Sequence, residues 1–245
     1  MHIKWIKLSS THSTNSYISG KLKQGDAKEE LIVLADYQDA GRGQGTHAWQ
    51  SESGKNLLMS VLLFPAFLSA SQQFYLSILT SLSICDQLEE MGITPTIKWP
   101  NDILVGNRKI AGILIEHGIA GNKISNSILG IGLNLNQTRF PDFPVPATSI
   151  LLEKGEHAEA HSMAEKIVKQ MTVRYNQLKA GAFADLERDY YGHLLGLNQM
   201  MEFRSEGPEF RGLIRGVNEY GELLVESNGE TLAYGHQEIQ LKVPG

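Results

Sequence analysis

Apolar positions along this chain change period several times, and each change marks an element. Phe74, Ile78, Leu82, Cys85 and Leu88 recur three or four residues apart, which predicts a helix over 71–91 with one apolar face. Ser69 with Gln72 supplies a capping box ahead of it, and Gly92 a stop behind it. The same spacing returns in Met163, Ile167, Met171, Tyr175 and Leu178, and a further helix is read over 183–195. Near the start of the chain, Ser13, Thr14 and Asn15 can cap a short helix running to about Lys23, closed by Gly25. Continuous apolar runs of strand length lie at 31–37 and 56–64, while residues 2–8 alternate and suit an edge strand.

From Thr96 to Asn136 the pattern becomes short strands and tight turns. One strand ends at Lys98-Trp99, residues 100–102 turn the chain, and residues 105–107 form a hairpin tip. Strands over 109–116 and 124–135 follow, joined by a turn around 120–122. Strands joined by hairpins favour an antiparallel or mixed sheet over a doubly wound parallel one. Residues 140–146 are a proline-rich connector. After Gly196 the chain breaks into strands over 199–204, 210–217, 223–226 and 231–234, with turns at 219–221 and 228–229. A run of about fifty such residues makes a small β-barrel rather than a large sandwich. The expected fold is therefore α+β: a mixed, largely antiparallel sheet flanked by helices over 1–195, then a small barrel over 196–245.

Composition narrows the function. The 245 residues carry a formal net charge of −5, which weighs against broad nucleic-acid binding. The single cysteine, Cys85, allows no intramolecular disulfide, and its place on the apolar face of the 71–91 helix marks it as core packing rather than a nucleophile. With no signal-like segment at the start, a cytoplasmic protein is expected. The longest apolar stretch, 56–70, is broken by Ser60 and Pro65 and is too short for a bilayer-spanning helix, so no membrane partner is expected.

Three segments carry chemistry. Gly41-Arg42-Gly43-Gln44-Gly45 is a loop whose glycines let backbone N–H groups approach an anion, beside a permanently charged guanidinium. It lacks the Gly-Lys-Ser/Thr of a phosphate loop, and a strand rather than a helix follows it, so it is no dinucleotide fingerprint; a plain surface turn is the bland alternative. Lys98 stands at a strand end beside Asn101 and Asp102, where an ammonium could meet a phosphate and its metal ion; a solvated lysine and a structural turn would look the same. The stretch from Gly130 to Asn136 places glycines in an apolar strand, where a ligand could press on the backbone or the strand could simply kink.

Together, Ser13-Thr14-Asn15, residues 37–44, Trp49, residues 98–102, residues 108–116 and residues 130–136 resemble the biotin protein ligase family, in that family's order. The resemblance covers most of residues 9–150, and residues 210–241 are similar to the family's small SH3-like C-terminal domain. It implies a class II synthetase-like catalytic domain. The family joins biotin to ATP's AMP moiety, releasing pyrophosphate, and then transfers biotin to a lysine of a carrier domain. By that likeness Ser13, Thr14, Asn15, Gln38, Gly41, Arg42, Gly43 and Gln44 contact biotin, with Gly112 and Gly132 along its apolar side. Lys98 would bridge the biotin carboxylate and the α-phosphate, and Arg42 would hold phosphates; these two are the catalytic candidates. Arg42, Trp49, Asn101, Lys109 and Asn134 would hold ATP, and Asp102 a Mg²⁺ ion. The partner implied is a biotin carboxyl carrier protein.

The likeness has departures. Many family members carry a second arginine where this chain has Gln44, and Thr46-His47 replaces a common Gly-Arg or Gly-Asn pair. Some members precede the catalytic domain with a DNA-binding helix-turn-helix; here the biotin motif begins at Ser13, so a monofunctional ligase without DNA binding is expected. Lipoate or octanoate ligases share the core architecture and are the enzyme rival. A homodimer through an exposed sheet edge stays open.

Overall fold

The computed structural model describes residues 3–45, 47–205 and 207–243. Its first part supplies β1 (Lys4–Leu8), α1 (Thr14–Lys23), β2 (Leu31–Ala35), β3 (Leu57–Leu63) and α2 (Phe74–Glu90). Then come β4 (Pro95–Lys98), β5 (Asp102–Val105), β6 (Arg108–Ala120) and β7 (Lys123–Leu133). The seven strands form one sheet in the order β1-β2-β3-β7-β6-β5-β4. Only β1 and β2 pair in parallel, because α1 carries the chain across between them; the remaining neighbours are antiparallel. The sheet is mixed and largely antiparallel, as its hairpin turns predict.

Side-chain alternation along the strands gives the sheet two buried faces. Ile32 and Leu34 of β2, with Met59 and Val61 of β3, join the main core, which α2 fills. Leu31, Val33, Leu62 and Ile128 point the other way and pack with Ile18 of α1 in a second, smaller core. After the sheet the chain forms α3 (Ile150–Lys154), α4 (Ala160–Lys179) and α5 (Phe183–His193). Both α4 and α5 pack on α2, so α2 is covered nearly all round, and Cys85 is fully buried within it. Burial pushes the Cys85 thiol pKa far up, the opposite of what a nucleophile needs.

The last strands, β8 (Met200–Ser205), β9 (Phe210–Val217), β10 (Leu223–Ser227), β11 (Glu230–Tyr234) and β12 (Ile239–Leu241), form a separate antiparallel sheet in the order β11-β10-β9-β8-β12. This arrangement is consistent with the expected SH3-like fold. Its inner side chains, among them Phe203, Ile214 and Val225, continue the main core. Trp99 Nε1 donates to Gly221 O at 2.9 Å, and Tyr191 Oη donates to Val217 O at 3.1 Å, fixing this sheet against the larger part. Gly221 is required there: a Cβ would stand 2.3 Å from Phe74.

Local differences from the sequence reading have simple causes. Residues 70–73 wind as a 3₁₀ turn, so α2 starts at Phe74; Gln72 Oε1 still accepts the Ser69 N–H at 3.0 Å. Ser13 occupies the N-cap of α1 but makes no side-chain capping bond. The short α3 escapes an apolar-spacing test because Ile150 is its one buried residue, although Ser149 caps it and Gly155 ends it in the left-handed region. No helix among the described residues is long and apolar enough to cross a membrane.

Candidate functional site

Strand register builds a floor without side chains. Gly132 of β7 pairs with Leu58 on one side and Gly112 on the other, while Gly130 pairs with Ser60 and Leu114. These positions lie on the α1 face of the sheet, the face that also carries Ile128 and Leu62. Above this floor opens a cavity of about 680 Å³, a size suited to a small organic ligand. Ser13, Thr14, Asn15 and Gln38 line one side, Lys98, Asn101, Asp102 and Lys109 another, and the loop of Arg42, Gly43, Gln44, Gly45 and Trp49 a third. Residues 236–241 of the C-terminal sheet, with Arg204 and Ser205, complete the wall.

The α1 side is a connected polar network. Gln38 Oε1 accepts the Thr14 N–H at 2.7 Å. Ser60 Oγ lies 2.6 Å from both Thr14 Oγ1 and Asn15 Oδ1. Asn15 Nδ2 donates to Leu114 O at 3.2 Å and to Glu116 Oε2 at 2.8 Å. These bonds hold Thr14 and Asn15 at the cavity, with Ser13 beside them at the helix N-cap. Ser60 and Glu116 also belong to this network; Glu116 ends the 108–116 block, while Ser60 lies in no motif block. Ser60 interrupts an apolar run, and a buried hydroxyl in such a run is the one clue the sequence offers.

The Lys98 side is a cluster of charge. Lys98 is almost fully buried, with Nζ 3.7 Å from Asp102 Oδ2, and Lys109 Nζ stands 2.5 Å from Asp102 Oδ1. Pairing of β4 with β5 puts Lys98 directly opposite Asp102, and pairing of β5 with β6 sets Asp102 opposite Gly112. Two ammoniums share one carboxylate, so the cluster holds net positive charge suited to an anion. The same pairing occupies both Asp102 oxygens. No group of three or more His, Cys, Asp or Glu side chains suited to a metal exists among the described residues. Asp102 orients the two lysines beside the cavity. Asn101 is anchored too, its Nδ2 donating to Ile113 O at 2.7 Å.

The glycine loop is a small hairpin rather than an open anion cradle. Gly43 N–H donates to His47 O at 2.7 Å, and Trp49 N–H to Gly41 O at 2.9 Å. A Cβ on Gly41 would stand 2.4 Å from Trp49 O, so this glycine serves the hairpin itself and does not line the cavity. Thr46 lies outside the described residues; His47 lines the cavity. The hairpin delivers Trp49 onto the floor, where Cβ atoms on Gly132 and Gly112 would stand 2.4 and 2.9 Å from the indole. Lys109 Nζ sits 5.6 Å from the indole centroid. Trp49 Nε1 is buried and finds no acceptor among the described residues, an unusual state for a polar group. Arg42 reaches across to Glu116, Nη2 to Oε2 at 2.5 Å.

Of the sequence-predicted residues, Gly41 and Asn134 are not brought to the cavity. Asn134 Nδ2 donates to Thr148 O at 2.9 Å, tying the end of β7 to the segment before α3. The C-terminal wall was not anticipated. His236 packs against Trp99 with centroids 5.2 Å apart and ring planes tilted by 46°, and burial lowers its pKa against the smaller opposing pull of Glu222.

Known proteins resemble this chain over most of its length. The sequence profile described as Biotin/lipoate A/B protein ligase family matches residues 8–134. The Bifunctional ligase/repressor BirA of Bacillus subtilis is 33% identical over 226 residues, spanning 90% of this chain and 68% of that protein. The Biotin–[acetyl-CoA-carboxylase] ligase of Mycobacterium tuberculosis is 25% identical over 91% of this chain and 83% of its own length. Among solved structures, the Aquifex aeolicus biotin protein ligase in complex with biotin and ATP superposes with a TM-score of 0.81 at 26% identity, covering 98% of this chain and 99% of that one.

Proposed function

Since the chain belongs to the biotin/lipoate A/B protein ligase family, we propose that it activates biotin with ATP and transfers it to a lysine of a biotin carboxyl carrier protein. The observation that carries this reading is the placing of Lys98 and Lys109 around Asp102, beside the glycine floor and opposite the Ser13-Thr14-Asn15 wall. In the first step a biotin carboxylate oxygen attacks the α-phosphorus of ATP, and the bond to pyrophosphate breaks. Two like charges about 4 Å apart repel by roughly 4 kcal/mol at an effective dielectric near 20, so a positioned cation must offset them. Lys98 fits that task because it is buried and held by Asp102, which limits the reorganisation needed when the anions arrive. Arg42 adds a second cation from the loop, and Lys109 a third near the nucleotide.

The polar wall of Ser13, Thr14, Asn15 and Gln38 is assigned to the ureido end of biotin, with Gly43 and Gln44 closing over it. Trp49, stacked near Lys109, is assigned to the adenine, and Gly112 and Gly132 allow flat rings to lie against the sheet. Asn101 supports the nucleotide side through its anchored turn. In the second step the carrier lysine, deprotonated, attacks the acyl carbon of the mixed anhydride and AMP leaves. That step needs alignment more than further catalysis, because the anhydride is already activated. Residues 1–195 would form the catalytic unit, with 196–245 a second unit that contributes the wall at 236–241.

The test is incubation of the purified protein with ATP, radiolabelled biotin and a carrier domain, with lipoate as the competing acid. Biotin incorporation is expected. Lipoate incorporation without biotin would replace this reading with the rival one.

A further inference from the structure

Glu116 takes no part in the proposed chemistry, yet it joins the two sides of the site. It lies on β6 opposite Ile128, on the face that carries the cavity floor. Its Oε2 accepts from Asn15 Nδ2 at 2.8 Å and from Arg42 Nη2 at 2.5 Å. Asn15 is fixed to the sheet through Ser60 and Leu114, so the carboxylate is itself held in place. Arg42 belongs to the 41–49 hairpin, whose backbone bonds among the described residues lie within the hairpin itself; Trp49 seats its far end on the sheet floor, and Glu116 holds its Arg42 end.

We infer that Glu116 is a positioning residue that latches the Arg42 hairpin over the cavity and thereby sets how long an activated acyl-adenylate is retained. The first half rests on geometry alone; the second rests on the proposed function. A guanidinium has five N–H donors, and the contact to Glu116 engages one nitrogen, so Arg42 can be held by the carboxylate and still offer donors to a phosphate. A lysine could not divide its contacts along a planar fork in this way. The partners are 43% and 38% exposed, so solvent screens the pair and its effect is moderate.

Glu116→Gln keeps the size and the acceptor for Asn15 but removes the charge facing Arg42. In the ligand-free full chain, trypsin cleavage after Arg42 is expected to quicken roughly threefold to fivefold, the span an exposed ion pair allows. The thermal midpoint should stay unchanged. Release of biotinyl-AMP should quicken by a similar factor, and Glu116→Gln should add nothing further in an Arg42→Ala background. Cleavage at the wild-type rate overturns the latch. So does a lowered midpoint with unchanged release, which marks a purely structural role, and so does an undiminished effect in the Arg42→Ala background. If the wild-type protein forms no biotinyl-AMP, the proposed function fails, while the proteolysis result still decides the latch.

Discussion

Two clusters of charge in this molecule look alike in the sequence and differ in what they leave over. Between α2, α4 and α5, Arg174 donates from Nε to Asp86 Oδ2 at 2.8 Å and from Nη1 to Asp189 Oδ2 at 2.6 Å. One cation faces two carboxylates, and hydrogen bonding to Asp86 is the main cause that raises the Arg174 pKa. In the cavity the balance is reversed: among the described residues Arg42, Lys98 and Lys109 form ion pairs with two carboxylates, Asp102 and Glu116. A saturated cation fastens helices together; a surplus of cations around a cavity waits for an anion. The same residue types therefore serve stability in one place and binding in the other, and the count of partners distinguishes them.

The sharpest way to break that distinction is to remove a cation from each cluster. Lys98→Ala is expected to lower ATP–pyrophosphate exchange with biotin by about 10²–10³-fold or more, the range for loss of a preorganised charge donor, with the fold retained by circular dichroism. Near-normal exchange would put the surplus charge outside the chemistry. Arg174→Ala should do the reverse. It strands Asp86 and leaves Asp189 with Arg188 alone, and should cost about 2–3 kcal/mol in denaturant unfolding, below the range for a fully buried pair because both aspartates are partly exposed. Its exchange activity should stay within about twofold of wild type once folded, since no contact joins it to the cavity.

Gln44→Arg sharpens the comparison by enlarging the surplus. Gln44 lines the cavity and offers hydrogen bonds without charge. An arginine there is expected to slow release of biotinyl-AMP by about threefold to fivefold, as a partly screened charge would; equal off-rates would show that the surplus is already sufficient. The smallest effect concerns pH. Burial pushes the Asp189 pKa up, but hydrogen bonds from Arg174 and Arg188 outweigh it and hold the pKa below its ordinary value of 3.8. A depressed carboxylate stabilises the fold fully above 3.8, and that contribution is lost as pH falls through the lower folded value. Unfolding measured between pH 5 and 3 should show less of this acid loss in Arg174→Ala than in wild type.

How much was legible beforehand follows the same division. The helix over 71–91, the hairpins after Thr96 and the change of character at Gly196 were readable because they rest on local periodicity and turn residues. Most of the cavity residues were readable as motif blocks. Ser60 was not, and the pairing of Glu116 was not either, because their partners Asn15 and Arg42 lie 45 and 74 residues away in sequence. The wall at 236–241 was hidden for the same reason, since it depends on how one sheet docks on another.

By itself the sequence determined the elements, the family blocks and the charges available: Lys98, Lys109, Arg42 and the glycines at 112, 130 and 132. Only the tertiary structure decided which glycines form the floor and which serve a hairpin, because strand register sets Gly132 against Gly112 while Gly41 packs on Trp49. It also decided that Asp102 holds two lysines at once. Local chemistry is written residue by residue, but the balance of charge in a site depends on which side chains folding brings within a few ångströms, and pairing over long separations in the chain sets that.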